Sequence, residues 1–154
     1  MTQSFTIVGL GEAVFDVFPD KEVLGGTSLN VAVQAHQLLA PMDGRGVLLS
    51  RIGSDALGER LQAEFRARDL PLEYIQIDES HPTGQVLVRF EGDAPRFEIV
   101  VDTAWDLLQF TDHERELARA CNAVSFGSMS QRHATAHAAT QAFLAEVTDA
   151  LKIF

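Results

Sequence analysis

The first apolar run, Phe5-Thr6-Ile7-Val8-Gly9, is short, rich in β-branched residues and closed by glycine, which predicts a buried strand. Ala13-Val14-Phe15-Asp16-Val17-Phe18 continues in extended style until Pro19. The period then changes. From about Ser28 to Leu39, Leu29, Ala32, Val33 and Ala35 mark one apolar helix face, and Pro41 stops the run. Val47-Leu48-Leu49-Ser50-Arg51-Ile52 predicts a second buried strand, and Gly53-Ser54-Asp55 turns into a helix carrying Leu57, Leu61 and Phe65, before Leu70-Pro71.

The middle of the chain reads differently. Tyr74-Ile75-Gln76-Ile77, Gln85-Val86-Leu87-Val88-Arg89-Phe90 and Arg96-Phe97-Glu98-Ile99-Val100-Val101 are three strand-like runs in succession. Turn signals separate them, at Ser80-His81-Pro82-Thr83-Gly84 and Glu91-Gly92-Asp93-Ala94-Pro95. Their partial alternation predicts a half-exposed antiparallel sheet. Helical pattern resumes near Thr111, with Asp112 and Glu114 in a favourable first turn. Ala123-Val124-Ser125-Phe126-Gly127 is another short strand, and an Ala-rich helix runs from about Gln131 to Ala150. Leu151-Lys152-Ile153-Phe154 then begins an apolar strand. Strand–helix alternation around an inserted meander predicts an α/β domain with a parallel sheet and a small β flap. A strand–helix unit needs its next parallel strand beside the last, so the ending reads as that of a truncated chain; the alternative is a short edge strand at a true terminus.

Composition narrows the class. The 154 residues are 46% hydrophobic and 22% charged, ordinary for one globular domain with a real core. A net charge of -10 without any basic run argues against nucleic-acid binding. No apolar run is long enough to span a bilayer, and Met1-Thr2-Gln3-Ser4 shows no secretory leader. The one cysteine, Cys121, sits in an apolar context and fits inert core in a reducing cytoplasm.

The most informative stretch is Gly25-Gly26-Thr27-Ser28-Leu29-Asn30-Val31-Ala32. Two glycines permit a tight turn and close approach of a ligand, the helix start offers unpaired N–H groups, and Asn30 adds a carboxamide that donates and accepts. Either this is a binding turn for a hydroxyl-rich small molecule or a strand-to-helix turn with a Ser or Thr cap. Asp16, set among Val14, Phe15, Val17 and Phe18, either accepts hydrogen bonds from neighbouring hydroxyls or points to solvent from an edge strand. Asp55 reads as a helix cap. His133 and His137, at i and i+4, lack the intervening carboxylate of a zinc hydrolase and read as exposed. Trp105 is either core or the border of a pocket. Ile7-Val8-Gly9-Leu10-Gly11-Glu12 fails as a dinucleotide fingerprint because Val14 stands at the third glycine position, and no Walker-type loop is present.

Taken together, these motifs resemble the ribokinase-like (PfkB) carbohydrate kinases. Gly11-Glu12-Ala13-Val14-Phe15-Asp16 is similar to the family's first-strand element with its sugar-binding Asp, and Gly25–Ala32 to its N-terminal signature. Gly53-Ser54-Asp55-Ala56-Leu57-Gly58 looks like its Gly-x-Asp-x-x-Gly turn, and Pro82-Thr83-Gly84 like the start of its lid. The first element and Ala104-Trp105-Asp106 lean toward the fructokinase-like branch. Ser28 departs mildly from the family's usual Pro, Ala or Gly.

The resemblance implies a partial doubly wound, mostly parallel sheet with a small antiparallel lid, its strands within about 17–24 and 72–102. It also implies the N-terminal, substrate-binding part of a sugar kinase. Members are about twice as long, and their Gly-Ala-Gly-Asp-type motif, catalytic Asp and ATP site lie in a half without counterpart here. ATP and Mg2+ are therefore implied for the complete protein, with no cofactor expected on this chain and no activity expected from it alone. The implied sugar-binding residues are Asp16, Gly25, Gly26, Asn30 and Phe97, the last closing the site from the lid. A homodimer through the lid sheet is also implied. A non-catalytic sugar-binding or dimerisation module is the alternative.

Overall fold

The computed structural model describes residues 4–92 and 94–154. Residues 1–3, where no leader is expected, and Asp93, in the turn expected at 91–95, lie outside the described residues. In chain order the elements are β1 (Thr6–Leu10), β2 (Val14–Val17), β3 (Glu22–Gly25), α1 (Thr27–Leu39), β4 (Arg45–Gly53), α2 (Ala56–Arg66) and β5 (Ile75–Asp78). They continue with β6 (Gly84–Glu91), β7 (Ala94–Ile99), α3 (Asp112–Ala120), β8 (Ala123–Phe126), α4 (Ala134–Glu146) and β9 (Leu151–Ile153).

Five strands form a parallel sheet in the order β5-β4-β1-β8-β9. β1 and β4 are apolar on both faces because both faces are covered. On one side Val8, Leu10, Val47 and Leu49 pack against Leu117 of α3 and Phe143 of α4. On the other, Leu48 and Ile52 meet Leu29 and Val33 of α1 and Leu61 and Phe65 of α2. Helix α1 lies so close to the sheet that only glycine fits beneath it. A Cβ on Gly9 would fall 2.0 Å from the Ser28 carbonyl oxygen, and one on Gly46 would fall 2.0 Å from that of Ala32.

A second, four-stranded sheet has the order β3-β2-β6-β7. It is mixed: β2–β3 and β6–β7 pair antiparallel, but β2–β6 pairs parallel. The flap expected as purely antiparallel thus contains one parallel joint. Ile75–Asp78, expected in that flap, instead runs parallel to β4 as an edge of the main sheet. An edge strand of a parallel sheet buries one face only, so its alternation is the same as that of a half-exposed antiparallel strand. Helix α4 is also shorter than expected. A 3-10 turn at Met129–Gln131 precedes it, and His133 serves as its N-cap, accepting from the Thr135 N–H at 3.2 Å.

Candidate functional site

From β1 the chain works outward through β4 to β5, then returns to the opposite side of β1 for β8 and β9. The topology therefore switches direction between β1 and β8. Crevices at the carboxyl ends of strands flanking such a switch are the usual ligand sites of open α/β sheets. A pocket of about 260 Å3 lies there. Its polar side carries Glu12, just past β1, with Asp16 of β2 and Thr27 and Asn30 of α1. Its apolar side carries Val14, Val86, Ile99, Trp105 and Met129, the last just past β8.

Three of the residues singled out from the sequence, Asp16, Gly26 and Asn30, line this one pocket. Gly26 has φ 111°, in the region that favours glycine, and a Cβ there would fall 2.7 Å from the Glu12 carbonyl oxygen. Gly25 does not line the pocket, but it pairs with Val14 across β2–β3, and a Cβ there would approach Asp16 Oδ2 to 3.1 Å. Its missing side chain leaves the carboxylate room. Asn30 is held in the first turn of α1, where its backbone N–H donates to the Gly26 carbonyl at 2.9 Å. Phe97 is different. It stands opposite Val88 on β7, is 62% exposed, and is not part of the lining; Ile99 occupies that wall.

Two polar residues of the site escaped the sequence reading. Helix α1 starts on Gly26, which has no side chain to cap it. The buried Glu12 carboxylate does that work from the β1–β2 connection: Oε1 accepts the Thr27 N–H at 3.0 Å, and Oε2 accepts the Ser28 hydroxyl at 3.4 Å. A negative charge at a helix N-terminus is favourable. The hydroxyl of Ser28, the departure from the family pattern, also donates to the Leu10 carbonyl at 2.9 Å. The signal available in the sequence was a helix start preceded by glycines, with a carboxylate waiting in the preceding loop.

Arg132, which backs the pocket wall and is not part of its lining, is the second. Its guanidinium lies 4.2 Å from the Trp105 ring centroid and donates to both Asp106 oxygens, at 2.7 and 2.8 Å. Burial alone would raise the Asp106 carboxyl, but the Arg132 and Thr103 hydrogen bonds outweigh it and hold it below the ordinary carboxylate range.

Asp55 caps α2, as its position suggested, accepting the Gly58 N–H at 2.9 Å. It also accepts the Thr83 hydroxyl at 2.6 Å and the Thr83 N–H at 2.8 Å, while the Gly53 N–H donates to that hydroxyl at 3.0 Å. Burial pulls the Asp55 carboxyl up, yet these bonds bring it below its ordinary value. The Gly53–Gly58 turn and the Pro82-Thr83-Gly84 segment are thus one hydrogen-bonded joint. Gly84, beside it, makes room for the pocket's tryptophan: a Cβ there would fall 2.6 Å from Trp105 Nε1.

Among the described residues no three His, Cys, Asp or Glu side chains gather as metal ligands. Cys121 is buried, and burial pushes its thiol up. No helix of the described residues is long and apolar enough to cross a membrane.

The model of the pfkB family carbohydrate kinases matches residues 7–152, and the chain belongs to that family. An uncharacterized sugar kinase of Pyrococcus horikoshii is 30% identical over 105 residues, covering 68% of this chain and 33% of the relative. The fructokinase of Escherichia coli is 32% identical over 110 residues, covering 67% of this chain and 34% of the relative. The crystal structure of the Pyrococcus protein superposes with a TM-score of 0.84 at 23% identity, covering 96% of this chain and 51% of that one. A Vibrio cholerae fructokinase crystallised with fructose, ADP and calcium gives a TM-score of 0.69 at 20% identity, covering 99% and 49%. The chain spans about a third of the curated relatives' length and about half of these solved chains.

Proposed function

We propose that the pocket at the β1–β8 switch point binds a neutral monosaccharide, as the sugar-binding portion of an ATP-dependent carbohydrate kinase. The observation that carries this reading is the convergence of Asp16 from one stretch and Gly26 and Asn30 from another on one pocket. A carboxylate can accept from two adjacent hydroxyls, the Asn30 carboxamide can donate to one and accept from another, and the glycine backbone leaves room for a close ligand. Gly25 serves the site by freeing Asp16, and Phe97, on the sheet face shared with Ile99, closes over the bound sugar. The apolar wall of Val14, Val86, Ile99 and Trp105 suits the C–H face of a sugar ring. Two carboxylates and no cation line the pocket, which favours an uncharged sugar over a phosphorylated or acidic one.

In the complete protein the γ-phosphoryl group of ATP passes to a sugar hydroxyl. Among the described residues no Walker-type glycine loop occurs and no three His, Cys, Asp or Glu side chains gather. On this reading the chain binds and orients the sugar, while the nucleotide, the metal and the catalytic base are the task of the family's other half. The single buried cysteine supports a cytoplasmic setting.

Trp105 is the chain's one tryptophan and borders the pocket, so its emission reports occupancy directly. Titration with D-fructose, D-ribose and other neutral sugars should change that emission for at least one of them. Fructose 6-phosphate should leave it unchanged, and Asp16→Ala should abolish the response. No response to any neutral sugar overturns the binding reading. ATP-dependent sugar phosphorylation by the 154-residue chain at an ordinary kinase rate overturns the confinement to binding.

The alternative of a dimerisation module draws support from one feature. Val23, Phe90 and Phe97 are apolar and exposed on the small sheet, at 42, 56 and 62%. A homodimer through that sheet would cover them, and it is compatible with sugar binding in the pocket beside it.

A further inference from the structure

The apolar wall of the pocket is assembled from three separate segments: the end of β7 with Ile99, the 3-10 turn Ala104–Leu107 with Trp105, and the turn Met129–Gln131 with Met129. One residue joins all three, two of them through its side chain. Arg132 directly follows the Met129–Gln131 turn. Its Nη2 donates to the carbonyl oxygen of Val100, the residue after Ile99, at 2.6 Å. Its guanidinium pairs with Asp106 through two hydrogen bonds and lies over the ring of Trp105. We propose that Arg132 is a positioning residue for sugar recognition, fixing Ile99, Trp105 and Met129 as one rigid wall without touching the sugar itself.

The chemistry of the contacts favours arginine specifically. A planar guanidinium can stack on an indole while its edge engages a carboxylate through two N–H groups; an ammonium cannot do both. Asp106 is 2% exposed and also accepts the Thr103 N–H at 3.1 Å, so the anchor is itself held in place. The contacts span 26 residues to Asp106 and 32 to Val100, and couple the small sheet to the segment entering α4. Among the described residues the Trp105 indole N–H has no hydrogen-bond partner, and the ring is held by packing and by the overlying cation.

This inference rests on the pocket being a sugar site, and the test separates the two. Acrylamide quenching of Trp105 is measured in the wild-type chain, in Arg132→Gln, in Arg132→Lys and in the double variant Arg132→Met with Asp106→Asn. The double variant removes the buried carboxylate that the single one strands, and so keeps the question open to an answer if Arg132→Gln fails to fold. D-Fructose affinity is read on the same samples. Trp105 should become more accessible to acrylamide in Arg132→Gln and in the double variant. Fructose should bind about tenfold more weakly in both, the loss of a charged anchor contact, while Arg132→Lys recovers part of each change. Folded variants with wild-type quenching overturn the positioning role. Changed quenching with unchanged fructose affinity overturns its link to recognition. A wild-type chain that binds no neutral sugar defeats the reading of the pocket, while the quenching comparison still decides whether Arg132 holds the wall.

Discussion

Asp78 shows how much a single residue here depends on its partners. Its side chain is 4% exposed at the end of β5. Oδ1 accepts the Ser80 and His81 N–H groups at 2.8 and 2.9 Å, and Oδ2 accepts the Arg51 Nε at 2.9 Å. Burial raises the carboxyl, but the two amides, the His81 ring and Arg51 together outweigh it and lower it from 3.8 to about 2. A depressed carboxylate stabilises the fold above its unfolded value and loses that contribution as pH falls through its folded value. Stability should therefore drop by about 2 kcal/mol between roughly pH 4 and pH 2 from this group. Urea titrations across that window should show a shallower slope for Asp78→Asn than for wild type; equal slopes would remove Asp78 as the source. At this scale the sequence was legible where a residue's place in the pocket lining follows from its neighbours. Asp16 announced itself as an acid in an apolar run, and Asn30 by its place after two glycines. Glu12 and Arg132 did not, because their partners lie 15 to 32 residues away.

Elements in this fold are spaced by glycine as much as by side chains. Helix α1 carries Thr27 and Asn30 to the pocket, and its distance from the sheet is set at Gly9 and Gly46. Replacing Gly46 by Ala pushes a methyl group into the Ala32 carbonyl, a backbone atom that cannot rotate away. We expect a loss of about 2–3 kcal/mol, read as a lower urea midpoint, with weaker sugar binding because α1 shifts. Gly127→Ala is the control, since a Cβ there has nothing within 4 Å and should change stability little. A near-neutral Gly46→Ala would mean that α1 can move off the sheet freely. Strand and helix periods were readable for most elements, including both buried strands β1 and β4. The partner of β5 was not, because an alternating run states how many of its faces are buried and not against which sheet. The parallel joint between β2 and β6 was equally hidden: it pairs Val14 with Gly84 on the edge of β2 away from β3, and no local pattern encodes so distant a partner.

For the whole molecule, the small sheet presents two ends of one face. Residues directly opposite in register share a face, so Asp16, Val23, Val86 and Ile99 form one row, Val88 and Phe97 the next, and Phe90 and Pro95 the next. Asp16, Val86 and Ile99 of the near row line the pocket; the far rows end in exposed Phe97 and Phe90. An apolar surface continuous with a binding pocket has two physical uses, covering a ligand and covering a second copy of the chain, and here the geometry allows both at once. A two-fold contact between these faces would bury Phe90 and Phe97 of each copy and bring Phe97 over its own pocket. We therefore expect light scattering to give a dimer whose dissociation on dilution is promoted by Phe90→Ser, a residue outside the pocket lining. Because sugar and partner would then share Phe97, saturating D-fructose should strengthen the wild-type dimer, by the reciprocity that links any two coupled binding events. A chain that is monomeric at all concentrations, with and without sugar, would leave the exposed phenylalanines to the ligand alone.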